Sequence, residues 1–118
     1  MGIQLTKNFN INEFKCKDGS DEVIVDPELV ELLQILRDRI NKPIVIVSGY
    51  RTKEYNKKIK GAPNSYHLKG QAADIRVEGV DPKIMAIHAA KVGFRGIGVY
   101  NNFIHVDVRQ KEYFWKGE

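Results

Sequence analysis

Cysteine is nearly absent: Cys16 is the only one among 118 residues. A single thiol excludes an intramolecular disulfide and any zinc site built on several cysteines. Cys16 reads as a small buried apolar group, with a fourth metal ligand or a nucleophile as the sharper alternatives. Long apolar runs are missing as well. No stretch approaches the ~20 residues of a membrane-spanning helix, so membrane insertion is not expected. Met1 to Thr6 lack the charged region and apolar block of a secretion signal, which leads to the expectation of a protein made in the cytoplasm. Strong charge of one sign is lacking too, since 19 basic and 15 acidic residues leave a net +4. No RNA-recognition sequence with stacking aromatics accompanies that mild excess, so nucleic acid is not expected as a partner. No linker, repeat or low-complexity segment breaks the chain, which reads as one domain over residues 1–118 and a monomer.

What is present fits a folded core: 42% apolar and 29% charged residues. Residues 1–25 look irregular, with Phe9, Ile11, Phe14 and Cys16 able to pack inward and Asp18 to Asp21 forming a turn. Asp26-Pro27 opens a helix, and Leu29, Leu32, Leu33, Leu36 and Ile40 follow at helical spacing. Ile44 to Val47 reads as a buried strand that delivers Ser48-Gly49-Tyr50-Arg51 at its end. Thr52 caps a short helix carrying Tyr55 and Asn56. Ala72 to Val77 is a strand, Asp81-Pro82 opens a second helix that stops at Gly93, and Gly96 to Tyr100 is a strand with glycine interruptions. Asn101-Asn102 turns into a last strand, Phe103 to Arg109, and Tyr113, Phe114 and Trp115 fold back. The class is α+β, a small antiparallel sheet packed with helices.

The stretch from Ser65 to Asp74 carries the chemistry. His67 lies on a loop and Asp74 on the strand that follows, while His105 lies in the last strand. Strand parity puts Ile104, Val106 and Val108 on one face and His105, Asp107 and Arg109 on the other. Ala73, Ile75 and Val77 likewise turn inward and leave Asp74 opposite. Two histidines and a carboxylate with room for water make a common catalytic zinc set, so the leading reading is a zinc hydrolase built on His67, Asp74 and His105. Each residue alone has a duller explanation: a surface histidine, or a strand-end carboxylate in a salt bridge. His88 sits mid-helix without ligand-like neighbours and is assigned to structure or surface. Lys53, Lys57, Lys58, Lys60 and Lys69 cluster around the stretch, where they either draw an anionic polymer such as cell-wall polymer or form a solvated helix face.

Taken in order, Ser48-Gly49-Tyr50-Arg51, Ser65-x-His67-x-x-Gly70-x-Ala72-x-Asp74 and His105-x-Asp107 resemble the zinc D-alanyl-D-alanine carboxypeptidase family. That family of murein metallopeptidases, similar to subfamily A of peptidase M15, includes phage L-alanyl-D-glutamate endolysins and shares the hedgehog/DD-peptidase fold. The resemblance runs from about Phe9 to Trp115. It implies one zinc per chain on His67, Asp74 and His105, and an Arg51 that binds substrate or stabilises transition-state charge. Ser65 and Tyr50 join Arg51 as expected substrate-binding residues, and Tyr66 and Tyr100 as candidates for the cleft lining. The implied substrate is a peptidoglycan stem peptide, cut next to a D-amino acid by a carboxypeptidase or an endopeptidase. A phage or prophage lysis enzyme acting on the cell wall fits such an activity. Several members carry an acidic general base three residues before the last histidine, and that position here is Asn102, which cannot take a proton. Asp107 is then the candidate catalytic base, or else a carboxylate that orients a ligand histidine. Two other readings stay open: an inactive zinc-bearing binding module, and an accessory protein that uses the fold without metal.

Overall fold

The computed structural model describes residues 2–117. Two Asp-Pro pairs start the long helices. Asp26 and Asp81 accept hydrogen bonds from the N–H groups of Glu28 and Lys83, and the prolines take the first helical positions. The helices are α1 (Pro27–Ile40), the short α2 (Lys53–Lys58) capped by Thr52, and α3 (Pro82–Val92). Asn41 (φ 52°) and Gly93 (φ 112°) end α1 and α3 in the left-handed region, the conformation glycine adopts without strain.

The strands are β1 (Val45–Ser48), β2 (Ala72–Arg76), β3 (Gly96–Val99), β4 (Ile104–Asp107) and β5 (Tyr113–Lys116). They form one sheet in the order β1-β2-β4-β3-β5. Every pairing is antiparallel except β3–β5. The expected antiparallel sheet is therefore mixed, because the tail crosses back to run alongside β3. The expected buried strand at Ile44 to Val47 is an edge strand, with Ile44 and Ile46 buried but Val45 and Val47 exposed. An edge strand covered on one face alternates in this way, and β-branched residues alone do not distinguish it from a central strand.

One apolar cluster joins the layers. Leu29, Leu33 and Leu36 of α1 and Met85 and Ala89 of α3 meet the sheet face that carries Ile75, Ile97, Ile104 and Val106. Each fully buried Leu, Ile or Val side chain contributes about 1.5–3 kcal/mol. Phe9 and Phe14 close the cluster from the N-terminal segment. The Phe14 carbonyl accepts the Tyr50 N–H at 2.9 Å. Gly49 makes that approach feasible: a Cβ there would lie 2.7 Å from Phe14 Cα. The helices thus cover one face of the sheet and leave the polar residues of β2 and β4 on the other.

Candidate active site

A single rank of residues crosses the sheet. Ser48 of β1 pairs with Asp74 of β2, Asp74 with His105 of β4, His105 with Gly98 of β3, and Gly98 with Trp115 of β5. Directly opposed residues project to the same face, so this register alone brings Asp74 and His105 together. His67 arrives from a 3-10 turn, Tyr66–Lys69, whose N-cap Ser65 accepts the His67 N–H at 3.2 Å. Gly70 ends the turn at φ 69°, so close to Ile24 that a Cβ would collide with that residue's carbonyl oxygen. The His67 carbonyl accepts the Arg51 N–H at 3.1 Å, which ties the turn to the end of β1.

The outer partners of the two imidazoles fix where their protons sit. His67 Nδ1 lies 2.7 Å from the Gly49 carbonyl oxygen, which can only accept, so that nitrogen carries the hydrogen. His105 Nε2 lies 2.7 Å from Asp107 Oδ2 and donates to it. In the neutral rings the opposite nitrogens are bare lone pairs. Both face one oxygen, Asp74 Oδ1, at 3.2 Å for His67 Nε2 and 3.0 Å for His105 Nδ1. Ligand atoms from His67, Asp74 and His105 lie within 4.8 Å of one another, and the three residues could hold a metal ion. Three converging lone pairs need a cation or an added proton between them. Burial disfavours charge on His105, but the hydrogen bonds to Asp107 and Asp74 outweigh it and raise its pKa. Burial also opposes charge on Asp74, yet its bonds to His105 and His67 hold it well below the usual carboxylate range.

Residues 7–107 match the family model for peptidase M15. The chain belongs to that family. It is 34% identical over 92 residues to peptidoglycan L,D-endopeptidase MepK of Escherichia coli (strain K12), covering 70% of this chain and 50% of the relative. It is also 34% identical over 103 residues to the probable peptidoglycan L,D-endopeptidase MepK of Haemophilus influenzae, covering 79% and 55%. The chain spans about half the length of these relatives.

In this member of the M15 family the three clustered residues open onto a cleft of about 450 Å³. Arg51 and Ser65 line it, as do Tyr66, Tyr100, Arg109 and Trp115. Arg51 spends one N–H from each nitrogen: Nε to Ser48 Oγ, Nη1 to Asn56 Oδ1 and Nη2 to Asp74 Oδ2. Two of its five N–H groups are left over. Tyr50, expected at the substrate, is placed elsewhere. Its ring is buried and its hydroxyl donates to Glu22 at 2.9 Å, with burial first and that carboxylate second raising its pKa to about 12. The five lysines also miss the cleft. Lys53 and Lys57 line a neighbouring groove, and Lys69 lines another that shares Tyr66 and Arg109 with the cleft. Cys16 is buried with its sulfur 4.0 Å from Thr52 Oγ1, and His88 accepts from Arg39 on the helical surface.

Asp107 lies behind the cleft, with 0% of its surface exposed. Burial disfavours its charge, but Arg109 and His105 hold it well below the usual carboxylate range. Arg109 donates its backbone N–H and Nε to Oδ1 and its Nη2 to Oδ2, which also accepts from His105. No lone pair of Asp107 is directed at the cleft.

The sequence reading missed Asn56, Arg109 and Trp115, although a signal for Trp115 existed. Gly96 and Gly98 alternate along β3 on the face that carries the site. A Cβ at Gly96 would collide with the Asp107 carboxylate, and one at Gly98 would collide with the Trp115 indole. Glycines two apart in a strand therefore mark where large side chains from neighbouring strands lie over the sheet. Gly96→Ala should lower the unfolding free energy by about 1–3 kcal/mol, the usual cost of overpacking. Urea denaturation checks this, and an unchanged midpoint would show that Asp107 has room to move.

Proposed function

We propose that this chain is a zinc-dependent endopeptidase that cuts peptidoglycan stem peptides at a bond between an L- and a D-amino acid. The observation that carries the reading is the convergence of two imidazole lone pairs on one carboxylate oxygen at the wall of an open cleft. Two nitrogens and an oxygen suit zinc and leave a fourth position for water or substrate. The names of the E. coli and H. influenzae relatives support the peptidoglycan substrate and the endopeptidase type.

His67 Nε2, Asp74 Oδ1 and His105 Nδ1 would hold the ion. Zinc supplies Lewis acidity, which polarises a carbonyl and acidifies water. The protein's own groups then have defined tasks. The Gly49 carbonyl and Asp107 keep the protons of His67 and His105 on the outer nitrogens, so that the inner ones stay available. Arg51 holds the second oxygen of Asp74 and directs its spare N–H groups to an oxyanion developing in the cleft. Asp107 orients His105 and does not act as the base, because both its oxygens are engaged away from substrate.

A second reading, a binding module of the same fold, rests on one observation: among the residues lining the cleft, Asp74 is the only carboxylate. Digestion of purified peptidoglycan with mass spectrometry of the products separates the two. The endopeptidase reading expects cross-linked muropeptides to be cut internally. Trimming of a terminal residue would indicate a carboxypeptidase, and no product at all would favour the binding module. Arg51→Lys is a sharper probe within the first reading. Lysine lacks the planar fork that reaches Ser48, Asn56 and Asp74 together. Turnover should fall about 10²-fold while zinc per chain stays near the wild-type level. Unchanged turnover would leave Arg51 as a brace for the loop only.

A further inference from the structure

The aromatic side of the cleft is built with more care than packing requires. Tyr100 begins the tight turn before β4, and its backbone N–H donates to the Phe103 carbonyl at 3.0 Å. That turn stacks the two rings, with centroids 4.6 Å apart and planes 6° from parallel. Gly117 also lies against the Tyr100 ring, so closely that a Cβ there would overlap it. Trp115 sits over Gly98 with its ring centroid 5.2 Å from that of His105. The indole Nε1 donates to the Tyr100 hydroxyl oxygen at 3.1 Å. Trp115 and Gly117 come from residues beyond 107, the end of the family match.

The hydrogen bond between the two rings has a consequence for the phenolic proton. Indole N–H is a donor only, so Tyr100 Oη is the acceptor and its own proton is free for another partner. Among the described residues no acceptor takes it. Tyr100 lines the cleft, half-buried, beside the three clustered residues. A hydroxyl held by a stacked ring, a glycine cradle and an indole donor is preorganised, which is where a single hydrogen bond to a ligand is worth most.

We infer that Tyr100, oriented by Trp115, donates its phenolic hydrogen to a backbone carbonyl oxygen of the peptide bound in the cleft. A peptide carbonyl is an acceptor without a proton of its own, which is what this hydroxyl lacks. The inference rests on the peptidase reading and adds a substrate-positioning residue to it. Tyr100 fixes the register of the chain beside the clustered residues, and β5 takes part in recognition through Trp115.

Trp115 is the only tryptophan, so its emission reports directly on occupation of the cleft. A purified cross-linked muropeptide is titrated into chelator-treated protein, where no turnover competes, and kcat and KM are measured separately on zinc-loaded protein. Wild type should show a saturable change in emission. Tyr100→Phe keeps the stacked ring and removes only the hydroxyl. It should weaken binding about five- to tenfold, the worth of one neutral hydrogen bond, raise KM by a similar factor, and leave thermal stability and zinc content unchanged. Trp115→Phe, followed by KM, should give part of that effect, because the hydroxyl remains but is no longer held. Binding and KM within twofold of wild type in Tyr100→Phe would overturn the assignment, as would a loss seen only together with lowered stability or zinc content. A wild type that neither binds nor cuts the muropeptide would overturn the peptidase reading along with it. One that cuts normally while Tyr100→Phe is silent would overturn the positioning role alone.

Discussion

Replacing His67, Asp74 or His105 with alanine should empty the centre of metal and end peptide hydrolysis. The protein as purified is expected to carry about one zinc per chain, because each site offers three ligand atoms and a water completes the set. Removing one leaves two, too few to compete with hydration of the ion. The catalytic loss follows from the size of the metal's contribution. Lewis-acid stabilisation amounts to several kcal/mol, and each ~1.36 kcal/mol is tenfold in rate, so the loss should be at least about 10³-fold. Stability gives a second readout. Zinc at about 1,000 times its dissociation constant adds about 4 kcal/mol to the wild type by mass action, and the variants should lose that increment. A chelator should reproduce both effects in the wild type, and added zinc should reverse them. Cys16→Ser serves as the control, since that sulfur is buried beside Thr52 and its loss should leave the zinc in place. Full metal content in all three alanine variants would show that the cluster is a hydrogen-bonded group and not a metal centre.

Asp107→Asn should cost roughly 10- to 100-fold in zinc affinity, with activity recovering when zinc is supplied in excess. All four hydrogen bonds that Asp107 makes to His105 and Arg109 come from donors. An asparagine has one accepting oxygen and one NH2 group, so in either orientation its NH2 faces donors. If it faces His105, the ring must move its proton to Nδ1, the nitrogen aimed at Asp74, and a ligand lone pair is lost. If it faces Arg109, amide and guanidinium donors oppose each other, and in either orientation a guanidinium with little solvent access loses its counter-charge. Breaking a buried ion pair from one side costs on the order of 3–5 kcal/mol, so a lowered denaturation midpoint should accompany the weaker metal binding. A general-base role for Asp107 predicts the reverse pattern: zinc affinity intact and kcat reduced by about 10²–10⁴ with no rescue by zinc. Measuring zinc affinity, kcat and the denaturation midpoint on this one variant distinguishes the two.

Much of the architecture is local and was legible in the sequence. Asp26-Pro27 and Asp81-Pro82 start helices wherever they stand before an amphipathic run, because cap and proline act within one turn. Alternation of Ile104 and Val106 with His105 and Asp107 gives β4 its buried face without reference to any partner strand. The order of His67, Asp74 and His105 named the residues that the structure gathers. Tertiary structure decided what depends on pairing between distant segments. Parity gives a residue its face but not its neighbours, so only the register Asp74 to His105 places the carboxylate opposite the imidazole. Parity likewise put Asp107 on the polar face, but the Arg109 side chain and the tight fit over Gly96 bury it completely. Tyr50 follows Gly49 out of β1 and is claimed by Glu22, a contact across 28 positions that no local pattern encodes. Trp115 reaches the site because β5 runs parallel to β3, a crossing chosen by the cradle at Gly98 and by backbone pairing, neither of which exists until the sheet is assembled.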